Sequence, residues 1–209
     1  MSAIVAIKDN ETKSVWMASD SQLTSGCLKT NIIGNKNNYK IFRNKKDKNL
    51  LIGVCGLWAD LSILRTIRDI IPFPDKGRNN EIIFNYNYVV NTIKPRIFEI
   101  LDKNNRINYE SGLGIMESEI LIAYKDKLFQ IGCSGAVTEI DEYVAIGAGR
   151  DFCYGSLYST KYINLIPQEK CCLAIKSACE HSIMVDYPII YTNTMWNNDG
   201  FNDVGRFMN

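Results

Sequence analysis

The apolar patterning of this chain changes period in long blocks, and the order of those blocks constrains its fold more than any other feature. Two short runs open the chain, Ala3-Ile4-Val5-Ala6-Ile7 and Ser14-Val15-Trp16-Met17-Ala18, flanking the turn-type segment Asp9-Asn10-Glu11. Their β-branched and apolar content predicts a strand pair. Tyr39-Lys40-Ile41-Phe42 and Leu50 to Cys55 predict a second hairpin around the basic stretch Arg43 to Lys48. Helical spacing follows, with apolar residues at 57, 61, 64, 67, 70 and 71 before Pro72 and Pro74 end the run. A longer stripe, Ile82, Tyr86, Val89, Ile93, Ile97 and Ile100, contains Pro95, which is expected to kink or divide it. Strands return at 119–124, 128–131 and 143–146. A short helix is expected over 151–159, and a second from Pro167, a favoured first-turn residue, with Glu169 in the electropositive first turn. Pro188 to Tyr191 reads as a last strand. Segregated blocks, instead of strict alternation of strand and helix, favour antiparallel sheets with helices packed outside them. The 209 residues suffice for one domain with a substantial core, and no linker or short repeat divides them.

Charge excludes some classes of partner. A net charge of +1 gives no field of one sign that would suit nucleic acid or an anionic membrane. The cluster Arg43-Asn44-Lys45-Lys46-Asp47-Lys48 is interrupted by an acid and reads as a solvated loop. Seven cysteines form no zinc frame and no CxxC pair, and Cys55, Cys153, Cys172 and Cys179 fall inside apolar patterns as small hydrophobes. That usage suggests a reducing compartment and, with no membrane-length apolar run, a cytoplasmic protein. No cluster has metal-ligand spacing, and no cofactor is expected. His181, the single histidine, lies in a helical pattern without a triad motif. Gly147-Ala148-Gly149 lacks the Lys-Ser/Thr of a phosphate loop.

Ser2 is the residue with chemistry to offer. Loss of the initiator Met1 ahead of a small residue leaves a hydroxyl and a free α-amine on one residue. An α-amine titrates near 7.7 to 8.0, so at physiological pH a good fraction can accept the hydroxyl proton. One residue then supplies nucleophile and base. If the first turn centres near Asn10 or Glu11, paired positions total about 21 or 22 and Ser2 faces Ser19 or Asp20.

In order along the chain, several segments resemble the proteasome β-subunit and bacterial HslV family of N-terminal-nucleophile hydrolases. Ser2-Ala3-Ile4-Val5-Ala6 is similar to the family's mature start, and Ala18 to Gly26 resembles its acidic second-strand motif. Tyr39 to Phe42 is similar to the strand bearing the family's lysine, and Gly53 to Asp60 resembles the turn whose glycine amide forms the oxyanion hole. Ala145-Ile146-Gly147-Ala148-Gly149 falls where the family has a Gly-Ser-Gly turn, and Ile190 to Asn193 is similar to its last core strand. The resemblance implies an α+β fold, a four-layer αββα sandwich of two antiparallel sheets flanked by helices. It implies Ser2 as nucleophile, Lys40 as the cation beside it, Asp20 as the partner of Lys40, and the Gly56 N–H as oxyanion donor. Asp186 matches a further aspartate near the terminal amine. Leu23, Val54 and Trp58 would line the pocket for the side chain before the cleaved bond. The implied substrate is a peptide or unfolded protein, cleaved inside a homo-oligomeric ring that an ATPase unfoldase can feed.

Two departures stand out. The nucleophile is serine, which lacks the β-methyl that restricts χ1 in threonine. Ala148 removes a hydroxyl that in the family contacts the terminal amine. Ala148 and the bulky Trp58 leave open a proteasome-like structural subunit with little catalysis, and a third possibility is the same chemistry acting on a non-peptide amide, as in other members of the wider nucleophile class.

Overall fold

The computed structural model describes residues 2–25, 27–31, 36–45, 47–66, 83–195 and 205–207. The first half contains β1 (Ala3–Asp9), β2 (Ser14–Ser19), β3 (Gln22–Ser25), β4 (Leu28–Asn31), β5 (Ile41–Arg43), β6 (Leu50–Cys55) and α1 (Trp58–Thr66). A continuous helical stretch follows, made of α2 (Tyr86–Tyr88), a π-helical turn over Val89–Ile93 and α3 (Lys94–Lys103). Then come β7 (Ile107–Glu110), β8 (Leu113–Met116), β9 (Glu119–Tyr124), β10 (Lys127–Ile131), β11 (Val137–Glu139) and β12 (Tyr143–Gly147). The chain ends with α4 (Arg150–Thr160), α5 (Pro167–His181), β13 (Ile189–Asn193) and β14 (Gly205–Phe207).

Two five-stranded antiparallel sheets, ordered β12-β1-β2-β13-β14 and β11-β10-β9-β6-β5, pack face to face. Strand alternation explains the layering, because successive side chains leave a strand on opposite faces. On β1, Ala3, Val5 and Ile7 join Cys153, Leu157, Ala174, Ile175 and Ala178 beneath α4 and α5. Ile4 and Ala6 turn the other way, into the layer between the sheets. On β6, Leu50, Ile52 and Val54 pack with Leu61, Leu64, Ile93, Ile97 and Leu101 beneath α1 and α3, while Leu51 and Cys55 enter the inter-sheet layer. Both faces of the central strands are thus buried, so they read as nearly continuous apolar runs. The result is the expected αββα sandwich.

Three local differences from the sequence reading have physical causes. Pro95 neither breaks nor divides its helix. The π turn ahead of it absorbs the missing donor, with Lys94 N–H bonding to the Val89 carbonyl five residues back. The first hairpin is longer than expected: Asp9 Oδ1 accepts from the Glu11 N–H (3.0 Å) and the Thr12 N–H (3.2 Å), and Lys13 takes a left-handed φ of 53°. Ile4 therefore pairs with Ser19 and the Asp20 N–H bonds to the Ala3 carbonyl, so neither Ser19 nor Asp20 is the strand partner of Ser2. Finally, two ribbons, β3–β4 and β7–β8, form outside the main sheets. The apolar positions Ile67, Ile70, Ile71 and Ile82 lie outside the described residues. No described helix is long and apolar enough to cross a membrane.

Candidate active site

Ser2 continues the row of Ile4 and Ala6 at the end of β1 and is buried to 4% exposure. The same register brings Asp20 alongside Ala3. Asp20 donates its N–H to the Ala3 carbonyl (3.2 Å), and its Oδ1 accepts the Ala3 N–H (3.0 Å). Its Oδ2 accepts the Gln22 N–H at 3.0 Å. A carboxylate with no exposed side-chain surface is thus held by two backbone donors and one cation.

That cation is Lys40, which precedes β5. Its Nζ lies 2.7 Å from Asp20 Oδ1 and 2.7 Å from the Gln22 carbonyl, with only 4% of its side chain exposed. Burying both charges costs solvation, and the arrangement stands because each charge also has polar neighbours. The segment Asp20 to Gln22, which carries no regular pairing at Asp20 and Ser21, is itself anchored. Ser21 N–H donates to the Asp186 carbonyl (3.1 Å) and Ser21 Oγ to the Pro188 carbonyl (2.6 Å).

Gly56 closes β6 with φ of +147°, a conformation other residues rarely adopt, and a Cβ there would stand 2.4 Å from the Glu117 carbonyl and 2.5 Å from Ser118 Oγ. Behind this turn lies a network that the sequence did not reveal. Ser118 Oγ accepts the Leu57 N–H (3.1 Å) and donates to Asp60 Oδ2 (2.7 Å), while Asp60 Oδ1 accepts from Arg106 Nε (2.8 Å). Asp60 and Ser118 are fully buried. The single available signal was an acid inside an apolar helical stripe.

On the opposite side the Gly147 to Gly149 turn packs against the same residue. Gly149 N–H donates to the Ser2 carbonyl (3.2 Å), and Gly147 pairs with Ala3. Beside this turn and Ser2 sits Cys55, whose thiol is near enough for the Ser2 side chain to act on it. Burial pushes that thiol up to about 11, with Lys40 pulling it part of the way back.

Ser2, Lys40 and Gly56 share one cavity of about 550 Å³, whose walls include Leu23, Trp58 and Glu117. Val54 does not line it; its side chain lies in the core cluster beneath α1 and α3. Asp186 lies between α5 and β13, and its carboxylate reaches across to β4, meeting Lys29 Nζ (2.5 Å) and Asn31 Nδ2 (3.3 Å). Its backbone, not its side chain, supports the Asp20 segment. Among the described residues no group of three or more His, Cys, Asp or Glu side chains could hold a metal ion.

A four-layer αββα sandwich with the first strand opening onto its cavity is the architecture of N-terminal-nucleophile hydrolases. Residues 2–184 match the family model described as proteasome subunit, and the chain belongs to that family. Its fold is similar to that of Thiobacillus denitrificans BPH, solved in complex with epoxomicin, at a TM-score of 0.72 and 16% identity over 91% of this chain and 97% of that one. It is also similar to eukaryotic HslV from Trypanosoma brucei, at a TM-score of 0.62 and 16% identity over 91% and 98%. No curated protein sequence matches it significantly.

Proposed function

We propose that this chain is a serine-type N-terminal-nucleophile peptidase. The observation that carries the reading is the convergence of Ser2, the buried Lys40–Asp20 pair and the Gly56 turn on one cavity. Removal of Met1 frees the Ser2 amine. The hydroxyl proton passes to that amine as Oγ attacks the scissile carbonyl carbon. Lys40, held in place by Asp20 and the Gln22 carbonyl, keeps a positive potential at the site that favours the developing alkoxide. The Gly56 N–H donates to the tetrahedral oxyanion, a contact typically worth about 3 kcal/mol. The amine then gives its proton to the leaving nitrogen, and water hydrolyses the resulting ester.

Leu23 and Trp58 offer apolar walls for the side chain before the cleaved bond. Asp186 acts through the backbone it anchors. By extension from the family, the substrate is a peptide or unfolded protein, the assembly a homo-oligomeric ring of cytoplasmic subunits, and an ATPase unfoldase the supplier. Replacing Ser2→Ala, or leaving residues ahead of Ser2, is expected to abolish hydrolysis of short fluorogenic peptides by purified protein. Unchanged turnover in either variant rejects the mechanism.

Ala148 favours a second reading, a structural subunit with little catalysis, because the turn beside Ser2 offers no hydroxyl to the terminal amine. Mass spectrometry of the native N-terminus separates the two. A free Ser2 amine fits the peptidase, and a retained Met1 or an acetylated Ser2 fits the structural subunit.

A further inference from the structure

Serine has three staggered χ1 wells and nothing on Cβ to choose among them, whereas threonine's branched Cβ restricts the choice. A serine nucleophile therefore needs its restraint from a neighbour. Alternation along β6 sends Leu51 and Cys55 into the inter-sheet layer, the same layer that Ile4 and Ala6 enter from β1. At the end of that layer the Cys55 thiol lies beside Ser2, near enough for the Ser2 side chain to act on it. The thiol has little room to move. A Cβ on Gly147 would stand 2.2 Å from Cys55 Sγ and 2.4 Å from the Ser2 carbonyl oxygen, so the sulfur is wedged between Ser2 and the glycine turn. The same turn holds the Ser2 backbone through the Gly149 N–H. Cys55 also directly precedes Gly56, so one short segment carries both the thiol and the proposed oxyanion donor.

We propose that Cys55 is a positioning residue that holds Ser2 Oγ in one rotamer, giving a serine the restraint that a β-methyl gives threonine. This rests on the reading of Ser2 as nucleophile. Burial keeps the thiol protonated at neutral pH, so it can donate to Oγ while the Ser2 hydroxyl proton goes to the amine. Ala148 supplies no alternative hydroxyl from the glycine turn.

The test is a double-mutant cycle in the full chain, comparing Cys55→Ala in the wild-type background and in Ser2→Thr. With serine at the front, Cys55→Ala is expected to lower kcat about tenfold, the rate equivalent of one ordinary hydrogen bond, with KM unchanged. Cys55→Ser, which keeps a donor, should restore most of that loss. In the Ser2→Thr background the same Cys55→Ala change should cost less than about twofold, because the β-methyl replaces the restraint. Equal losses in both backgrounds, or full turnover in Cys55→Ala with serine retained, overturn the proposal. A readout independent of hydrolysis is the crystal structure of Cys55→Ala. Ser2 Oγ distributed over more than one rotamer supports the role, and a single rotamer as in the parent overturns it. If the parent protein forms no adduct at Ser2 yet Cys55→Ala still frees the rotamer, the nucleophile reading fails and the contact stands as structural.

Discussion

The layer between the two sheets has two parts of equal depth and opposite chemistry. Along most of its length it is dry: Ile4, Met17, Leu51, Leu121, Leu128 and Ile146 are fully buried and apolar. Where β1 begins, Ser2, Ser19, Asp20, Ser21, Gln22 and Lys40 are buried almost as completely. Strand alternation delivers the apolar part, while Asp20, Ser21 and Lys40 reach the polar corner from outside regular strands, so burial alone does not distinguish core from site. The dry part needs only shape and volume, since its groups lose nothing by leaving water. In the polar corner Asp20 replaces its lost solvent contacts with two backbone N–H groups and the Lys40 ammonium, whereas Ser19 Oγ and Gln22 Oε1 are buried without a hydrogen-bond partner among the described residues.

The largest effect is expected at Lys40. Lys40→Met keeps the length and removes the charge, leaving Asp20 buried without its cation. Such a change is expected to cost about 3–5 kcal/mol of stability. Peptide turnover should also fall by at least about 100-fold, the scale on which a fixed electrostatic contact acts. Chemical denaturation measured beside fluorogenic turnover checks both. A variant that melts early but keeps its turnover per folded molecule would make Lys40 no different from the dry layer.

Leu121→Ala probes that dry layer. The cavity it leaves should cost about 2–5 kcal/mol, similar in size to the loss at Lys40, with kcat/KM per folded molecule unchanged. Ser118→Ala sharpens the boundary between the two parts. It strips the Leu57 N–H of its acceptor and Asp60 of a donor, for about 1–3 kcal/mol. A looser Gly56 turn should lower turnover about tenfold, equivalent to a little over 1 kcal/mol in the barrier.

The smallest effect is expected at Asp186. Burial pushes its carboxyl up, but Lys29, the Tyr187 N–H and Asn31 outweigh that and hold it below its ordinary value. A carboxyl depressed in the folded state adds stability above its unfolded value and loses it as pH falls through the folded value. Asp186→Asn should therefore cost under about 1 kcal/mol at neutral pH, as befits a half-exposed pair. The difference should vanish in acid below the ordinary carboxylate range, as thermal melts across that range would register.

The dry layer and its covering helices were legible because buried runs such as Glu119–Tyr124 and Leu50–Cys55 carry their pattern locally. The ribbons β3–β4 and β7–β8 were not, since Leu28, Leu113 and Tyr109 lie exposed in polar surroundings and show no clear alternation. The hairpin register escaped because it depends on how Asp9 organises its turn, which shifts every partner without altering the strands themselves. At the site, Ser2, Asp20, Lys40 and Gly56 could be picked out through family resemblance. Cys55 looked like one more small hydrophobe, and its burial was correctly read. Its contact with Ser2 depends on two sheets meeting, which no spacing along β6 encodes. The Ser118–Asp60–Arg106 network was hidden for the same reason.

The proposed peptidase needs a free amine and a reactive hydroxyl on one residue beside a buried cation. Treating the purified protein with a peptidyl β-lactone and sequencing the modified peptide by mass spectrometry measures this directly. The expected product is an N-terminal peptide that begins at Ser2 and carries the acyl group on its hydroxyl, absent in Ser2→Ala. A peptide that begins with Met1, or an acyl group on any other residue, contradicts it.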